Sequence, residues 1–331
     1  MLRGDLLIDT LRRELPRGVL AASLAMAPAA FGATVSAKLG GAPRVVAKRA
    51  ASPPIIDGAL DDPVWTGAPA LGSIVQREPH EGEPASERTE VQILYDDQNL
   101  YLGVVCHDSE PDRVIGTQMA RDAELYADDR IEIVFDTFRD RHNAYYFATN
   151  PAGALVDGLV IQNGNLNLQW DGIWLVRARR TAGGWCAEIA IPFKTLSFAQ
   201  GRAWGFNFSR TIQRKLEEDR WAAPLLDLRF RQVSEAGELD GLEGAQQGLG
   251  LDVRPFESVG WSRADTLDGA IADHRGHTRG KGGADLFYSI TPSLRLTATY
   301  NTDFAETEVD DRRTNLTRFP LFFPEKRSFF L

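Results

Sequence analysis

The sequence predicts an all-β protein whose main domain is an antiparallel β-sandwich of the immunoglobulin or jelly-roll type. Three observations over residues 53–224 lead to this prediction. Apolar and polar residues alternate along short runs, turn residues such as Gly, Pro, Asn and Asp separate the runs, and helical patterns are scarce. About ten short strands joined by frequent turns are typical of an antiparallel sandwich.

The clearest hairpin joins residues 89–95 to residues 100–106 through the polar loop Asp96–Asn99. The stretch 128–158 follows as meandering strands, in which Ile131 and its alternate neighbours form an apolar face. Residues 170–180, 185–191 and 203–213 complete the predicted sheets. The side chains predicted for the core lie on the apolar faces of these strands: Val91, Ile93, Leu102, Val104, Ile131, Ile133, Ile189 and Phe206.

The segments before and after the sandwich are predicted to have other roles. Residues 1–37 resemble a signal peptide because basic residues precede the apolar run Gly18–Gly32, which ends in small residues suited to cleavage. An amphipathic N-terminal helix is the alternative. We therefore expect export to the periplasm or the outer membrane. Residues 38–52 and 225–249 are predicted linkers, the first small, polar and basic, the second largely glycine-rich and acidic.

Composition excludes some classes of partner. The net charge is −9, and basic residues do not cluster with aromatic ones, so a nucleic-acid partner is not expected. Cys106 and Cys186 lie in apolar strand patterns, which suit buried thiols, although an exported protein could also form a disulfide. The five histidines lack metal-ligand spacing, and no cofactor motif or catalytic motif is present in the sequence.

Five motifs, in order, resemble the carbohydrate-binding module family 9-like domains. The resemblance covers about residues 53–223 and implies a β-sandwich that holds a sugar, often between aromatic side chains. It also implies that a structural calcium ion is plausible, although no ligands can be assigned. The motifs are IDGALDDPVW, VQILYDDQNLYLGVVCHD, DDRIEIVFDTFRDRHNAYYFATNPAGALVDG, GWCAEIAIPFKTL and WGFNFSRTIQRK.

Residues 250–331 resemble the start of a domain that follows this module in large bacterial outer-membrane proteins and continues into a β-barrel. The physical pattern agrees, because residues 286–290 and 294–300 alternate between apolar and polar, as in a barrel wall. Such runs are too few to close a barrel, which needs at least about eight strands. We therefore expect an incomplete barrel segment associated with the outer membrane.

The candidate ligand-binding residues lie in the polar loops and at strand ends. Trp170 follows an Asn-rich loop, and the C–H groups of a pyranose could stack on its ring. Asn150, Asp157 and Asn167 offer hydrogen bonds to sugar hydroxyls, although each could simply stabilise a turn. Arg121 could line the same rim or form an ordinary surface ion pair.

Adjacent acidic residues suggest two further sites, which the sequence does not support strongly. The pairs Asp61–Asp62, Asp96–Asp97 and Asp128–Asp129 could ligate calcium, but the spacing of an EF-hand is absent. A glycosidase needs two carboxylates facing each other across a cleft, whereas adjacent residues on a strand point to opposite faces. We therefore predict non-catalytic binding of a glycan or oligosaccharide. The alternatives are a glycoside hydrolase acting on O-glycosyl bonds in carbohydrate catabolism and a ligand-free structural domain of an outer-membrane barrel.

Overall fold

A computed structural model describes residues 42–246, 251–263, 266–268, 271–273, 276–291 and 294–301. The predicted signal peptide, residues 1–37, lies outside the described residues. In chain order the strands are β1 (Arg44–Val46), β2 (Lys48–Arg49), β3 (Val75–Glu78), β4 (Thr89–Tyr95), β5 (Asn99–His107), β6 (Arg130–Asp136), β7 (Ala144–Thr149), β8 (Val156–Ile161), β9 (Asn165–Asn167), β10 (Leu175–Thr181), β11 (Gly184–Pro192), β12 (Trp204–Ile212), β13 (Glu217–Arg220), β14 (Gly237–Asp240), β15 (Leu251–Arg263), β16 (Thr266–Asp268), β17 (Ile271–Asp273), β18 (Gly276–Thr291) and β19 (Leu294–Tyr300).

The helices of the described residues are single 3₁₀ turns. None of them is long and apolar enough to cross a membrane. They lie at Pro63–Trp65, Pro111–Arg113, Phe193–Thr195, Gln213–Lys215 and Val233–Glu235.

Two sheets form the predicted sandwich. The larger sheet has the order β1-β14-β12-β6-β7-β8-β9, with β13 and β3 attached beside β12, and the smaller has the order β10-β11-β5-β4-β2. Most neighbours are antiparallel, whereas β1 with β14 and β2 with β4 are parallel. The all-β fold class predicted from the alternation is confirmed, because both sheets contribute their apolar faces to one core.

The main core lies between the two sheets. All the side chains that the sequence predicted for the core are buried there, as the alternation required. Aromatic rings fill its centre: Trp204 lies 6.0 Å from Phe135 and 5.3 Å from Phe198, measured between ring centroids. Edge-to-face and tilted pairs of this kind add packing energy beyond the buried area.

Both outer faces of the sandwich are also covered in part. Phe230, in a loop, and Val233, in the last 3₁₀ turn, pack on the outer face of the larger sheet. Trp65 and Leu60 cover the outer face of the smaller sheet, where Gly103 leaves room for them. A Cβ at Gly103 would lie 2.5 Å from a methyl carbon of Leu60, so this contact requires glycine.

The prediction that residues 38–52 and 225–249 are linkers is partly wrong. Strands β1 and β14 lie within them and pair with each other, and β14 also pairs with β12 of the larger sheet. Val45 and Leu239 are buried in the main core. These strands were missed because three or four residues are too few to display an alternating pattern.

The two cysteines do not pair. Both are buried and free. Trp185 is the cross-strand neighbour of Cys106, and Cys186 follows Trp185 along β11. Since successive side chains of a strand point to opposite faces, the two thiols lie on opposite sides of the smaller sheet.

A separate three-stranded sheet, in the order β15-β18-β19, contains most of the described residues after 250. The alternating runs predicted at 286–290 and 294–300 fall within β18 and β19. Both outer strands, β15 and β19, have one edge without a partner strand among the described residues. Strands β16 and β17 form a small hairpin.

Candidate functional site

The candidate site lies where β7, β8 and β9 meet the loop that leads into β10. Trp170 in this loop is half-buried, with its ring 5.1 Å from that of Tyr145 and 6.1 Å from that of Phe147, between centroids. Trp174 also packs against Phe147, with their ring centroids 5.2 Å apart, and is buried. The loop is therefore held on the sandwich by aromatic contacts, and Trp170 packs against the main core without being fully buried.

Gly172 allows the loop to approach β8 closely. A Cβ at this position would lie 2.6 Å from the Trp170 ring and 3.0 Å from Oδ2 of Asp157. A larger residue would have to displace the tryptophan or the carboxylate. The close packing of this loop therefore explains why glycine follows Trp170 and Asp171.

Asp157 anchors the site from β8. Its carboxylate is fully buried and accepts two hydrogen bonds from Nη2 of Arg121, at 2.6 and 2.8 Å, and one from the backbone N–H of Gly172. Charge-assisted bonds of this kind are stronger than neutral ones. Burial nevertheless raises the pKa of Asp157 to about 6, because the loss of hydration outweighs the favourable effects of Gly172 and Arg121.

Arg121 connects three acidic residues. Its Nε lies 3.1 Å from Asp171 and 3.5 Å from Asp122, and its Nη2 also donates to the Gly172 carbonyl at 3.2 Å. Arg121 thereby ties the loop after β9 to the strand β8. The surface ion pair that the sequence allowed is thus part of a larger cluster.

Calcium does not fit this acidic cluster as it stands. Oxygens of Asp122, Asp157 and Asp171 lie within 4.8 Å of one another. However, the guanidinium of Arg121 contacts all three carboxylates and already supplies the positive charge. A calcium ion requires six to eight oxygen ligands and would have to displace Arg121.

Asn150 is not available to a ligand, contrary to the sequence-based expectation. It is fully buried; its Nδ2 donates to the Gln118 carbonyl and to Asp128, and its Oδ1 accepts from the backbone N–H groups of Ala152 and Ala154. The alternative reading, in which the asparagine stabilises a turn, is therefore correct.

Asn167 lies on β9 next to the site. It is half-buried, and its Oδ1 accepts a hydrogen bond from the backbone N–H of Gln169 at 3.0 Å. Its Nδ2 has no hydrogen-bond acceptor among the described residues, so this donor is available beside the loop of Trp170. The structure thus brings Arg121, Asp157 and Trp170 together, with Asn167 on the adjacent strand.

The adjacent acidic pairs stabilise loops. Asp128 accepts from the backbone N–H groups of Thr117 and Gln118, and Asp129 accepts from those of Ile115 and Gln213. These contacts explain why both acids are buried.

Asp96 and Asp62 have comparable roles in their own loops. Asp96 accepts hydrogen bonds from the backbone N–H groups of Gln98 and Asn99, and Asp62 accepts one from Ile55. Among the described residues, neither Asp96 nor Asp62 belongs to a group of three or more acidic, histidine or cysteine side chains close enough to hold a metal ion.

Two site residues were missed by the sequence reasoning. Asp171 directly follows Trp170, but nothing in its local pattern shows that it reaches Arg121. Tyr145 belongs to a Tyr-Tyr pair on β7, in which Tyr145 faces the site and Tyr146 the opposite side of the sheet. Tyr145 lies two residues before the core residue Phe147, so the alternation along β7 could have predicted that both side chains lie on the same face.

The raised pKa of Asp157 predicts a pH-dependent stability. Because the pKa of the folded state lies above the ordinary value of 3.8, protonation of Asp157 favours folding, so its contribution grows as the pH falls through about 6. We expect the wild type to gain stability relative to Asp157→Asn between about pH 7.5 and about pH 5. Urea unfolding of both proteins measures this difference; parallel pH profiles would contradict it.

Comparisons with known proteins agree with the fold. The model of the carbohydrate family 9 binding domain-like family matches residues 56–221, and that of a domain of unknown function, DUF5916, matches residues 249–331. A putative carbohydrate-binding protein from Bacteroides uniformis is similar in structure, with 13% identity and a TM-score of 0.50, over 60% of this chain and 99% of that chain. No curated protein matches the chain.

Two further solved structures are of a carbohydrate-binding module family 9 from Caldicellulosiruptor kristjanssonii. The complex with cellotriose has 18% identity and a TM-score of 0.42, over 60% of this chain and 94% of that chain. The complex with glucose has 17% identity and a TM-score of 0.43, over 60% and 96%.

Proposed function

The chain belongs to the carbohydrate family 9 binding domain-like family, and from this membership we propose that its sandwich binds a glycan without cleaving it. The observation that carries the proposal is the half-buried Trp170 beside the Arg121 cluster. An aromatic face can pack against the C–H groups of a pyranose. Charged groups around it can bond to the hydroxyls, and the side chains of Arg121 and Asp171 are 39% and 67% exposed.

The same geometry favours binding over hydrolysis. A glycosidase needs an acid and a second carboxylate about 5–10 Å apart on either side of the scissile bond. Oxygens of Asp157 and Asp171 lie within 4.8 Å of each other, and one guanidinium binds both. Asp157 is fully buried and bonded, so it is poorly placed to protonate a leaving group.

Binding is tested first with a glycan array probed by the full chain in detergent. Trp170→Ala is expected to weaken binding of the best ligand by about 1–3 kcal/mol, taking the stacking of a nucleobase on an aromatic side chain as the analogue. Trp170→Phe should retain part of the affinity because it keeps an aromatic face. Calorimetric titration of the three proteins measures the differences.

The matched control is Tyr126→Ala. Tyr126 is 72% exposed and lies near Arg130, on the outer face of the larger sheet. Its replacement should leave the affinity unchanged. Equal affinities of wild type and Trp170→Ala would exclude stacking on Trp170, and failure of every glycan to bind would favour the ligand-free structural role.

We also propose that the chain is exported and that its C-terminal sheet lies against the outer membrane. One face of the sheet is apolar across all three strands and carries exposed large side chains. They are Leu251, Val253, Val259, Trp261, Tyr288, Leu296 and Tyr300. The opposite face is mixed: it carries Arg254, Lys281, Asp285 and Thr297, together with Phe256 and the buried Phe287.

The dimensions of the apolar face support contact with lipid. Trp261 lies ten residues after Leu251, the cross-strand neighbour of Tyr288, so aromatic residues mark both ends. Ten residues of strand span about 33 Å, or roughly 25 Å along the membrane normal at the tilt of a barrel strand. This equals the apolar band of outer-membrane barrels. Glu257 is a charged exception on the apolar face, and its cross-strand neighbour is Gly282.

Introducing a charge should therefore affect membrane association differently on the two faces of this sheet. Val253→Arg is expected to weaken association with phospholipid vesicles, because arginine on a lipid-facing strand costs up to about 2–4 kcal/mol. Thr297→Arg, on the opposite face beside charged residues, should associate like the wild type. Vesicle flotation of the full chains measures both, and equal loss in the two variants would contradict a lipid-facing surface.

A further inference from the structure

The glycan site proposed above carries more negative than positive charge. The carboxylates of Asp122, Asp157 and Asp171 surround the guanidinium of Arg121. Among the described residues, no other basic side chain forms an ion pair with any of the three. Since three carboxylates face one guanidinium, the net charge is −2 when Asp157 is ionised and −1 when it is protonated.

Arg121 does not cancel the repulsion between these acids. The pKa of Asp122 lies above its ordinary value, because burial and the charge of Asp171 together raise it more than Arg121 lowers it. Although burial acts in the opposite direction, the charges of Asp157 and Asp171 raise the pKa of Arg121. The local field therefore favours a further positive charge and opposes a further negative one.

Asp171 is the acid best placed to meet a ligand. Its Oδ1 accepts the bond from Nε of Arg121 at 3.1 Å, whereas its Oδ2 receives no hydrogen bond from the described residues. Its side chain is exposed, and it directly follows Trp170 in the loop that leads into β10. An ammonium group is attracted both by a carboxylate and by the face of a tryptophan ring. One short segment thus supplies both kinds of partner for a cation.

Amino sugars without an acetyl group match this arrangement. Their pyranose ring has the C–H groups that an aromatic side chain packs against, and their ammonium group offers three hydrogen-bond donors. A neutral sugar can donate its hydroxyls to the same oxygens but gains nothing from the net charge. A uronic acid or a sulfated sugar would bring negative charge into a site that is already negative.

We propose that the site formed by Trp170, Asp171 and Arg121 selects glycans with free amino groups, of the kind found in oligomers of β-1,4-linked glucosamine. This inference rests on the proposed glycan binding and adds the chemical class of the ligand. The sugar ring packs on Trp170, and its ammonium group donates to the carboxylate of Asp171.

The competing ligand is a sugar with a carboxylate. Nη1 of Arg121 makes no hydrogen bond to the described residues, and the side chain is 39% exposed, so this nitrogen could donate to a uronic acid. The carboxylate of the sugar would then lie close to those of Asp122, Asp157 and Asp171, which makes this ligand the less favourable one.

Calorimetric titration of the full chain in detergent with four β-1,4-linked oligomers of equal length tests the proposal. Their units are glucose, N-acetylglucosamine, glucosamine and glucuronate, and the first three differ only in the substituent on C2. At about pH 6 most amines of the glucosamine oligomer are protonated. This oligomer should bind about ten-fold more tightly than the glucose oligomer, since one exposed ion pair and one cation–π contact each contribute modestly. The advantage should shrink at high salt.

Asp171→Asn identifies the group that makes the selection. It removes the charge and keeps an oxygen that can accept from Arg121. Affinity for the glucosamine oligomer should therefore fall about ten-fold more than affinity for the glucose oligomer. The matched control is Asp97→Asn, because Asp97 is 61% exposed and is also paired with an arginine, Arg49, but lies in the turn between β4 and β5. This control should bind both oligomers like the wild type.

The failure of the inference and that of the proposed function can be told apart. Binding of the glucose oligomer at least as tight as that of the glucosamine oligomer would overturn the selection and leave glycan binding intact. Tightest binding of the glucuronate oligomer would make Arg121 the selective group and overturn it as well. An equal loss in Asp97→Asn would mean that the net charge of −9 attracts the polycation without a site. If none of the four bound, the inference would fall, and the glycan array would decide the proposed function separately.

Discussion

Asp157→Ala is expected to remove glycan binding and to lower the free energy of unfolding by about 3 kcal/mol. This is the low end of the cost of breaking a buried ion pair, since the released Arg121 can turn towards water. The variant also leaves the N–H of Gly172 without its acceptor. Trp170 would then lose the loop that holds its ring against Tyr145, so affinity and stability should fall together.

Urea unfolding and calorimetric titration against the best array ligand measure these two effects. The matched control is Asp122→Asn, because Asp122 lies 3.5 Å from Nε of Arg121 and makes the weakest contact of the cluster. Its stability and affinity should stay close to those of the wild type. If Asp157→Ala bound the glycan normally, the cluster would be structural and the binding site would lie elsewhere.

The fold could be predicted largely from the sequence because alternation is a local signal. Apolar residues at every second position predict the hairpin of β4 and β5. The same spacing predicts the buried faces of β6, β11 and β12. Strands β1 and β14 could not be found in this way. Each has only three or four residues, and their pairing joins residues 44–46 to residues 238–240.

The candidate site was predictable only in part, because local patterns do not show which loops come together. Trp170, Arg121 and Asp157 were chosen for their chemistry, but their contact depends on loops that the local pattern does not describe. Arg121 and Asp157 are 36 residues apart in the chain. Asn150 was misassigned because the side chain of an asparagine in a turn can face a ligand or the backbone, and burial alone decides between them.

The IDGALDDPVW motif, which contributed to the resemblance, has a structural explanation centred on Glu188. This residue lies on the outer face of the smaller sheet and is fully buried. Its carboxylate accepts hydrogen bonds from the backbone N–H groups of Asp57 and Gly58, both at 2.9 Å, and from Nε1 of Trp65 at 3.0 Å. One carboxylate therefore fixes both ends of the segment that covers the sheet.

Glu188→Ala should consequently detach this segment and lower the free energy of unfolding by about 4 kcal/mol. Each hydrogen bond to a charged group contributes roughly 1.5–3 kcal/mol, but burial raises the pKa of Glu188, so part of that gain is already lost to desolvation. Glu188→Gln keeps an acceptor oxygen without the charge and should lose about half as much. Urea denaturation measures both, with Glu235→Ala as the control in a surface turn. A loss as small as that of the control would show that Trp65 and Leu60 hold the segment by packing alone.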